Sequence, residues 1–325
     1  MQIFRHVGEL PDSARDAVVA IGNFDGLHRG HQQVIATARD IARAQSRQFG
    51  ALTFEPHPRA FFGPVDEPFR LTPFRIKVRE FQALGVELLY VLRFNQALAG
   101  RSAEDFLSNL LHSGIGPAHV VVGYNFKFGS GREGDFDLLA ARGRELGFDV
   151  TCVELARDEV DEVYSSTLIR KYLTNGQPQR AAALLGHLWE VEGRVDSGRQ
   201  LGRTIGFPTA NVDLGEAIHP ARGVYSIRGG LRDGETMRWY DGVANLGVRP
   251  TVDGETLVLE AHLFDFDEDI YGRYLRVAFV DFLRPEQKFD GIDALKAQIA
   301  EDSRQARELL QARALGAGDF IGEDM

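Results

Sequence analysis

The sequence predicts an α/β protein with two domains: an N-terminal parallel sheet with helices on both faces, and a C-terminal small antiparallel β-barrel with a terminal helix. Up to about Leu185, short apolar runs alternate with helical patterns, as in a parallel sheet with crossover helices. After about Trp189, short β-prone segments follow one another between Gly, Pro, Asp or Asn turns, a spacing typical of a small barrel. The length of 325 residues agrees, since roughly 150 residues per domain gives about two domains.

The first half contains five predicted buried strands separated by amphipathic helices. Each helix carries charges on one face and Leu, Ile, Ala or Phe on the other. The predicted strands are Val18–Ile21, Gly50–Phe54, Leu88–Leu92, His119–Val122 and Val150–Val153. The predicted helices are His31–Gln45, Pro73–Leu84, Ala103–Leu111 and Phe136–Leu146. Sheets of this kind bind ligands at the carboxyl ends of their strands, so we expect the functional residues there.

The second half contains five predicted strands and one long helix. The strands are Glu190–Val195, Gly223–Arg228, Arg238–Ala244, Thr256–Leu263 and Leu275–Leu283. The helix is Ile292–Ala312, and a short helix pair in Leu173–Gly186 joins the two halves. We place the boundary near residue 187, which gives domains of residues 1–186 and 187–325.

Composition and charge exclude several classes of protein. With 44% hydrophobic and 26% charged residues, the chain is not intrinsically disordered. The single cysteine, Cys152, excludes an intrachain disulfide and any multi-cysteine metal site, and it favours a reducing compartment. A net charge of −10 lacks the basic footprint of nucleic-acid binding. No apolar run approaches the ~18 residues of a membrane span. We therefore expect a cytoplasmic protein without nucleic-acid or membrane partners, and self-association stays open.

The string GNFDGLHRGH, residues 22–31, leaves a predicted strand and enters a predicted helix. His28 and His31 are three residues apart, so on the first helical turn they share a face. The exposed N–H groups of that turn favour an anion. Donors arranged in this way suit the α-phosphate of a nucleotide under attack, where negative charge builds up. Two other interpretations stay open: a zinc-binding pair and two capping histidines.

Three further segments of the first half follow or flank predicted strands. Pro56–Arg59 contains His57 between two prolines, and a plain strand exit is its alternative interpretation. The aromatic loop Val122–Gly129 suits the stacking of a planar ring, or else packs its own aromatic side chains. In Tyr164–Arg170, hydroxyl groups at a helix start and an arginine one turn later suit the β- and γ-phosphates of a nucleotide, although helix capping alone explains the serines.

Two segments of the second half carry candidate chemistry. Gly198–Asn211 is a glycine–arginine loop that closes on Pro-Thr-Ala-Asn, and Thr209 and Asn211 supply hard oxygen atoms suited to Mg²⁺ carrying a nucleotide. In Leu259–Phe266, alternation puts Glu260, His262 and Phe264 on one face of a strand. If that face is the barrel interior or its mouth, Glu260 lies among apolar neighbours and suits a general base. A solvent-facing row is the alternative.

These motifs resemble one family, the bifunctional prokaryotic riboflavin kinase/FMN adenylyltransferases or FAD synthetases. GNFDGLHRGH, PHP, GYNFKFG and SSTLIR resemble its adenylyltransferase module, a nucleotidyltransferase-type α/β fold. GRTIGFPTAN, ANLGVRPT, LEAHLFDFDEDIYG and FLRPEQKF resemble its kinase module, a compact β-barrel. The resemblance covers nearly the whole chain. It implies an enzyme that uses ATP with Mg²⁺ to phosphorylate riboflavin to FMN and then to adenylylate FMN to FAD, releasing pyrophosphate.

The resemblance also implies roles for individual residues in each module. In the first module these are His28 and His31 at the ATP phosphates, Asn23, Asp25 and Gly26 beside them, Asn125 in the nucleotide or flavin cleft, and Ser166, Thr167 and Arg170 as a phosphate clamp. In the second module they are Thr209 and Asn211 for Mg²⁺ and ATP with Gly206 and Pro208 in the same loop, Glu260 as the base for the ribityl 5′-hydroxyl of riboflavin, and Arg284 and Phe289 near the flavin.

Two rival functions compete with this interpretation. In the first, only one half is catalytic and the barrel is a flavin-binding regulatory module. Glu260 together with Thr209 argues against it, because a binding module needs no base. In the second, the protein acts on nucleic acid, since histidine-pair nucleotidyltransferase folds also occur in tRNA charging. The acidic charge argues against that rival.

Overall fold

A computed structural model of the chain describes residues 1–63, 67–154, 162–196, 206–251 and 254–313. By its contacts the chain divides into two compact units, Met1–Asp66 with Lys77–Ser165 and Glu67–Ile76 with Ser166–Met325. The part of the predicted glycine–arginine loop that precedes Gly206 lies outside the described residues.

The first unit is built on a six-stranded parallel sheet, as predicted, with strand order β1-β4-β3-β2-β5-β6. Its strands are β1 Gln2–Phe4, β2 Val18–Ile21, β3 Phe49–Glu55, β4 Leu88–Arg93, β5 His119–Gly123 and β6 Asp149–Val153. The edge strand β1 was not predicted, because three largely exposed residues are too few to show a period. The central strand β2 lies between β3 and β5, with Val18 opposite Phe49 and His119.

Helices cover both faces of this sheet. They are α1 Arg29–Ala44, α2 Pro58–Phe62, α3 Phe74–Ala83, α4 Gln96–Ala99, α5 Ala103–Asp105 and α6 Phe136–Leu146, with a π-helical segment, Phe106–Ile115, directly after α5. Val19 and Ile21 pack with Leu107 and Leu111 of the π-helical segment on one face. Val18, which points to the opposite face, is equally buried. A sheet buried on both faces leaves its strand ends as the place for polar groups.

The second unit is a closed antiparallel barrel with strand order β10-β11-β8-β7-β12-β9. Its strands are β7 Glu190–Asp196, β8 Ala210–Val212, β9 Gly223–Asp233, β10 Thr236–Thr251, β11 Gly254–Leu263 and β12 Tyr274–Pro285. Its helices are α7 Ser166–Thr174, α8 Pro178–Leu185 and α9 Ile292–Ala312. The predicted barrel is confirmed with six strands in place of five. The three-residue strand β8 was missed inside the Pro-Thr-Ala-Asn segment.

The two sides of the barrel wall have different roles. Leu246, Leu259 and Val212 lie side by side in the strand register and are fully buried in the interior. On the outer side, apolar residues of the strands pack with Ala306 and Leu310 of α9. The terminal helix therefore covers part of the outer wall.

Replacing Leu310 by alanine should destabilise the second unit. Leu310 is 1% exposed and belongs to the core cluster between α9 and the barrel, so truncation should lower the free energy of unfolding by about 2–5 kcal/mol. The neighbouring Leu309 is 40% exposed, so Leu309→Ala is a matched control that should cost far less. Urea unfolding followed by circular dichroism measures both. Equal losses for the two variants would contradict the packing of α9 described here.

Candidate functional site

The turn that follows β2 leads the chain into the first turn of α1. It runs from Gly22 to His28, and three of its residues have left-handed backbone: Phe24 at φ 49°, Gly26 at 92° and Leu27 at 36°. Glycine adopts this conformation freely, whereas each of the other two is strained there by on the order of 1–3 kcal/mol. Phe24 and Leu27 are almost fully buried, so packing contributes to the shape of the turn.

His28 caps α1 and stacks on His31. The Nδ1 atom of His28 accepts a hydrogen bond from the backbone N–H of His31 at 3.3 Å, and the ring centroids are 3.7 Å apart with planes 17° from parallel. Because Nδ1 is the acceptor, the neutral ring of His28 carries its proton on Nε2, which makes Nε2 a donor. A Cβ on Gly30 would lie 3.2 Å from Nδ1 of His28, so glycine gives this ring its room. The predicted shared face is confirmed, and the capping interpretation holds for His28.

His31 is neutral near physiological pH. Burial, the neighbouring His28 and the ammonium of Lys77 together hold the pKa of His31 well below its ordinary value of 6.5, with burial the largest cause. Phe24 contributes to this burial, since its ring meets His31 edge-on at 5.4 Å between centroids. Within the described residues, the buried Nδ1 atom of His31 has no hydrogen-bond partner. A buried polar atom of this kind marks a place where a ligand can bind.

The zinc interpretation of the histidine pair gains no support from the geometry. Among the residues that the structure describes, no group of three or more His, Cys, Asp or Glu side chains is placed to hold a metal ion. A zinc site needs at least three such ligands. An anion fits better, because the N-terminus of α1 adds backbone N–H donors to the two rings.

The other strand-end loops of this unit differ in what they offer a ligand. His57 caps α2, and its Nδ1 accepts from a backbone N–H at 3.1 Å. In the aromatic loop, Phe126 and Phe128 stack on each other and pack with the core, so these two rings serve the fold. Asn125 is exposed after β5, and β5 is the neighbour of β2. Parallel strands end at the same edge, so Asn125 and the histidine turn lie at one edge of the sheet.

The predicted phosphate clamp lies on α7, in the second unit. Ser166 begins the helix, Thr167 is exposed, and Arg170 lies one turn further on. The Nε atom of Arg170 donates to the backbone oxygen of Phe69 at 2.8 Å, and its guanidinium lies 5.5 Å from the centre of the Phe69 ring. These contacts fix the direction of the arginine side chain. The clamp role of the three residues stays a prediction.

A row of polar side chains crosses four strands on the outer side of the barrel. The strand register places Asp196 opposite Asn211, Asn211 opposite Glu260, and Glu260 opposite Asn245. Directly opposed residues share a face, with Cβ atoms roughly 4.5–5.5 Å apart. Leu259 on the other face is fully buried, so the row points outward. Glu260 therefore has amide neighbours and does not face the apolar interior, where burial of a carboxylate would be costly.

His262, on the same outward face, holds the segment that leads into β8. Its Nδ1 donates to the backbone oxygen of Pro208 at 2.8 Å, and its ring meets Phe207 edge-on at 5.7 Å between centroids. Burial lowers the pKa of His262 below its ordinary value, so the donated proton belongs to the neutral ring. This bond fixes the position of Pro208, the residue before Thr209.

Arg284 and Phe289 lie together near the end of β12. The guanidinium of Arg284 is 5.7 Å from the centre of the Phe289 ring. Asp302 of α9, almost fully buried, accepts from Nε of Arg284 at 2.9 Å and from Nη2 at 2.7 Å. The register puts Arg284 opposite Val224, which is itself opposite Asn245. Arg284 therefore lies on the outward face that carries the polar row.

Lys77 and Asp302 are buried charged residues that were not among the predicted site residues. Each occupies a helix position that belongs to an apolar stripe. Lys77 lies one turn before the buried Phe81, and Asp302 lies between Ile299 and Ala306 on the inward side of α9. A charged residue inside such a stripe is the signal that could have revealed both, because lone charges are rarely buried.

Comparison with known proteins identifies both units. Residues 10–168 match the family model of FAD synthetase and residues 185–310 that of riboflavin kinase. The bifunctional riboflavin kinase/FMN adenylyltransferase of Escherichia coli (strain K12) is 40% identical over 309 residues, 95% of this chain and 97% of the relative. The enzyme of the same name from Pseudomonas fluorescens is 41% identical over 311 residues, 95% and 98% of the two chains. A solved Streptococcus pneumoniae structure, titled macrolide-efflux protein, has a TM-score of 0.82 at 30% identity and covers 94% and 98%.

These matches fix the class of the protein. A parallel sheet with a histidine turn and a barrel with a carboxylate–amide row define a two-module transferase of flavin-cofactor synthesis. The chain belongs to the family of bifunctional riboflavin kinase/FMN adenylyltransferases, and the two activities of that family are its activities. The resemblance drawn from the motifs is thereby confirmed. In the part of the chain described here, no helix has the length and apolar character needed to cross a bilayer.

The low pKa of His31 should make the first unit less stable in mild acid. Below pH 6.5 the unfolded chain binds a proton at His31 that the folded chain does not, so the free energy of unfolding falls as pH falls. His31→Gln should flatten this dependence between about pH 7.5 and 5.5. His112 is exposed, and His112→Gln should leave the slope of the wild-type curve. Urea unfolding at several pH values measures this, and an unchanged slope in His31→Gln would contradict the buried neutral ring.

Proposed function

We propose that each unit carries out one of two successive reactions. The predicted domain of residues 187–325, which contains the barrel of the second unit, phosphorylates riboflavin with ATP, and the predicted domain of residues 1–186, which contains the sheet of the first unit, adenylylates the FMN with a second ATP. The observation that supports this is that each unit holds its own set of polar groups, the His28–His31 pair in one and Glu260 beside Asn211 in the other. We place both reactions in the cytoplasm, where ATP is available, with riboflavin, FMN and ATP as small-molecule partners.

In the adenylyl transfer, a phosphate oxygen of FMN attacks the α-phosphorus of ATP, and the bond to the bridging oxygen of pyrophosphate breaks. The nucleophile is already ionised, so no base is required. Negative charge builds up on the non-bridging oxygens of the α-phosphate, and fixed donors stabilise it there. Nε2 of His28 and the first N–H groups of α1 are such donors. His31 supplies a second neutral ring whose buried Nδ1 has no partner among the described residues.

The other residues assigned to the first module also act in the adenylyl transfer. Asn23, Asp25 and Gly26 give the histidine turn its shape beside the α-phosphate. Asn125 lies at the same sheet edge and is assigned to the nucleotide or flavin. We assign Ser166, Thr167 and Arg170, the predicted phosphate clamp, to the leaving pyrophosphate, whose negative charge they would neutralise. An arginine suits this role because its planar guanidinium matches phosphate oxygens in pairs.

In the phosphorylation, the 5′-hydroxyl of riboflavin attacks the γ-phosphorus of ATP, ADP leaves, and Glu260 takes the hydroxyl proton. Glu260 is half-buried on the outer barrel face, where Asn211 and Asn245 flank it on the neighbouring strands. Amide neighbours can orient the carboxylate and the hydroxyl without neutralising the base. Arg284 and Phe289 are assigned to the flavin, and the carboxylate of Asp302 holds the arginine in place.

The residues on the outer barrel face fit a magnesium ion. Thr209, Asn211 and Glu260 offer hydroxyl, amide and carboxylate oxygens, the ligand types that Mg²⁺ prefers. Thr209 and Asn211 would hold the ion together with the nucleotide, with Gly206 and Pro208 in the same segment. The ion supplies neutralisation of phosphate charge when bound.

Chelation should stop both reactions. Because the protein ligands proposed for Mg²⁺ are few, the ion arrives mainly with ATP, and excess EDTA should abolish FMN and FAD formation alike. Chromatography of the flavins from riboflavin, ATP and Mg²⁺, with and without EDTA, measures this. Restoration by added Mg²⁺ is the control. Full phosphorylation of riboflavin in excess EDTA would contradict the magnesium assignment.

The two chemistries should also separate by mutation. His28→Ala removes a donor at the adenylyl phosphate, which typically lowers a rate on the order of a hundredfold or more. This variant should accumulate FMN from riboflavin and form little FAD. Glu260→Gln keeps the size of the side chain but removes the base, so riboflavin should stay unphosphorylated, while FMN supplied directly should still give FAD.

The same flavin chromatography measures each variant with riboflavin and with FMN as substrate, and circular dichroism verifies that it is folded. Wild-type phosphorylation in Glu260→Gln would show that Glu260 is not the base. Loss of both activities in a folded His28→Ala variant would show that the two sites depend on each other.

A further inference from the structure

Lys77 is a buried cation at the foot of the histidine turn. Its side chain is 0% exposed, and its Nζ donates to the backbone oxygen of Asn23 at 3.0 Å and to Oε1 of Glu55 at 3.1 Å. Asn23 belongs to the turn between β2 and α1, and Glu55 is the last residue of β3. The hydroxyl of Thr53 donates to the same Asn23 oxygen at 3.2 Å. One backbone carbonyl of the turn is thus held from two elements.

Packing does not explain a lysine at this position. An apolar side chain of similar length would fill the same space, and replacing a buried ion pair by apolar residues is often neutral or stabilising. The charge is therefore more informative than the volume. An ammonium ion differs from methionine here in that it fixes the Asn23 carbonyl and adds positive potential at the sheet edge.

The Lys77 ammonium is one of several groups around His31 that act on this ring. His28 is stacked on the ring, Phe24 meets it edge-on, and Asp25 is buried in the same turn. Lys77 acts on the ring at longer range, and the carboxylate of Glu55 is paired with Lys77. The ammonium lowers the pKa of His31, in addition to the larger effect of burial.

We propose that Lys77 is a positioning residue of the adenylyl-transfer site. It holds the Asn23 carbonyl and thereby the strained turn that presents His28 and His31. This inference rests on the function proposed above. The strain at Phe24 and Leu27 gives the proposal its physical reason, since a turn with two left-handed non-glycine residues relaxes unless its ends are fixed. Misplacement of a donor by about 1 Å costs on the order of a hundredfold in rate.

The test compares Lys77→Met with wild-type protein over the full chain. Lys77→Met keeps the length of the side chain and removes the ammonium, with its hydrogen bonds to Asn23 and Glu55. The rate constant kcat for FMN adenylylation should fall on the order of tenfold to a hundredfold, with a smaller change in the KM for FMN. Riboflavin phosphorylation should stay within about twofold, because Lys77 belongs to the other unit. Lys296→Met, which removes a partly exposed lysine of α9, is the control and should leave the adenylylation rate unchanged.

A pH measurement distinguishes positioning from a purely structural role. Loss of the ammonium raises the pKa of His31, so the acid limb of adenylylation in Lys77→Met should move to higher pH. Glu55→Gln removes the counter-charge and keeps the lysine, so its acid limb should move to lower pH. Opposite shifts in the two variants support the proposal. Glu55→Gln also provides the test if Lys77→Met does not fold.

Two outcomes would overturn the inference. One is a folded Lys77→Met protein that keeps the wild-type kcat. The other is a lower kcat with acid limbs that stay in place in both variants, which would leave Lys77 with a structural role only. Failure of the wild-type chain to convert FMN to FAD is a separate result, and it would contradict the proposed function instead.

Discussion

A buried polar group needs a partner, and this requirement decides where the candidate site residues of both units lie. The sheet of the first unit is covered on both faces, as the equally buried Val18 and Val19 show, so polar residues collect where its strands end. The barrel interior is filled by residues such as Leu246 and Leu259, so the carboxylate–amide row lies on the outer wall. The polar side chains thus lie at the strand ends in the first unit and on the outer barrel face in the second.

Much of the fold could be predicted because hydrophobic periodicity reports burial directly. Helix α9 was predicted with both ends correct, since its apolar stripe persists over the whole of Ile292–Ala312. Strands β1 and β8 have three residues each and show no period, so only their neighbours reveal them. Strand register joins residues far apart in sequence, and for that reason the amide neighbours of Glu260 could not be predicted. Periodicity placed Glu260 on a face but did not tell which side of the barrel that face was.

Some features of the candidate sites follow from local sequence spacing, whereas others depend on residues that are distant in the sequence. The shared face of His28 and His31 follows from their spacing, whereas their stacking and the low pKa of His31 depend on Phe24 and on Lys77. Lys77 and Asp302 are alike in that each is a buried charge whose partner belongs to another element. Sequence reasoning assigns such residues to the solvent side of a helix. Both residues instead lie within an apolar stripe and are hydrogen-bonded to a residue of another element.

The segment Glu67–Ile76 is synthesised long before the residues that it contacts. Its contacts belong to the second unit: the backbone oxygen of Leu71 accepts from the indole of Trp189, 118 positions later, and that of Arg70 accepts from the N–H of Ile218. The last strand of the parallel sheet ends at Val153, before any barrel strand has been made. Strand β12 pairs with both β7 and β9, so the barrel closes only when the ribosome has passed its last residues. If domains fold as they emerge from the ribosome, this segment cannot form its native contacts until the barrel residues have been synthesised.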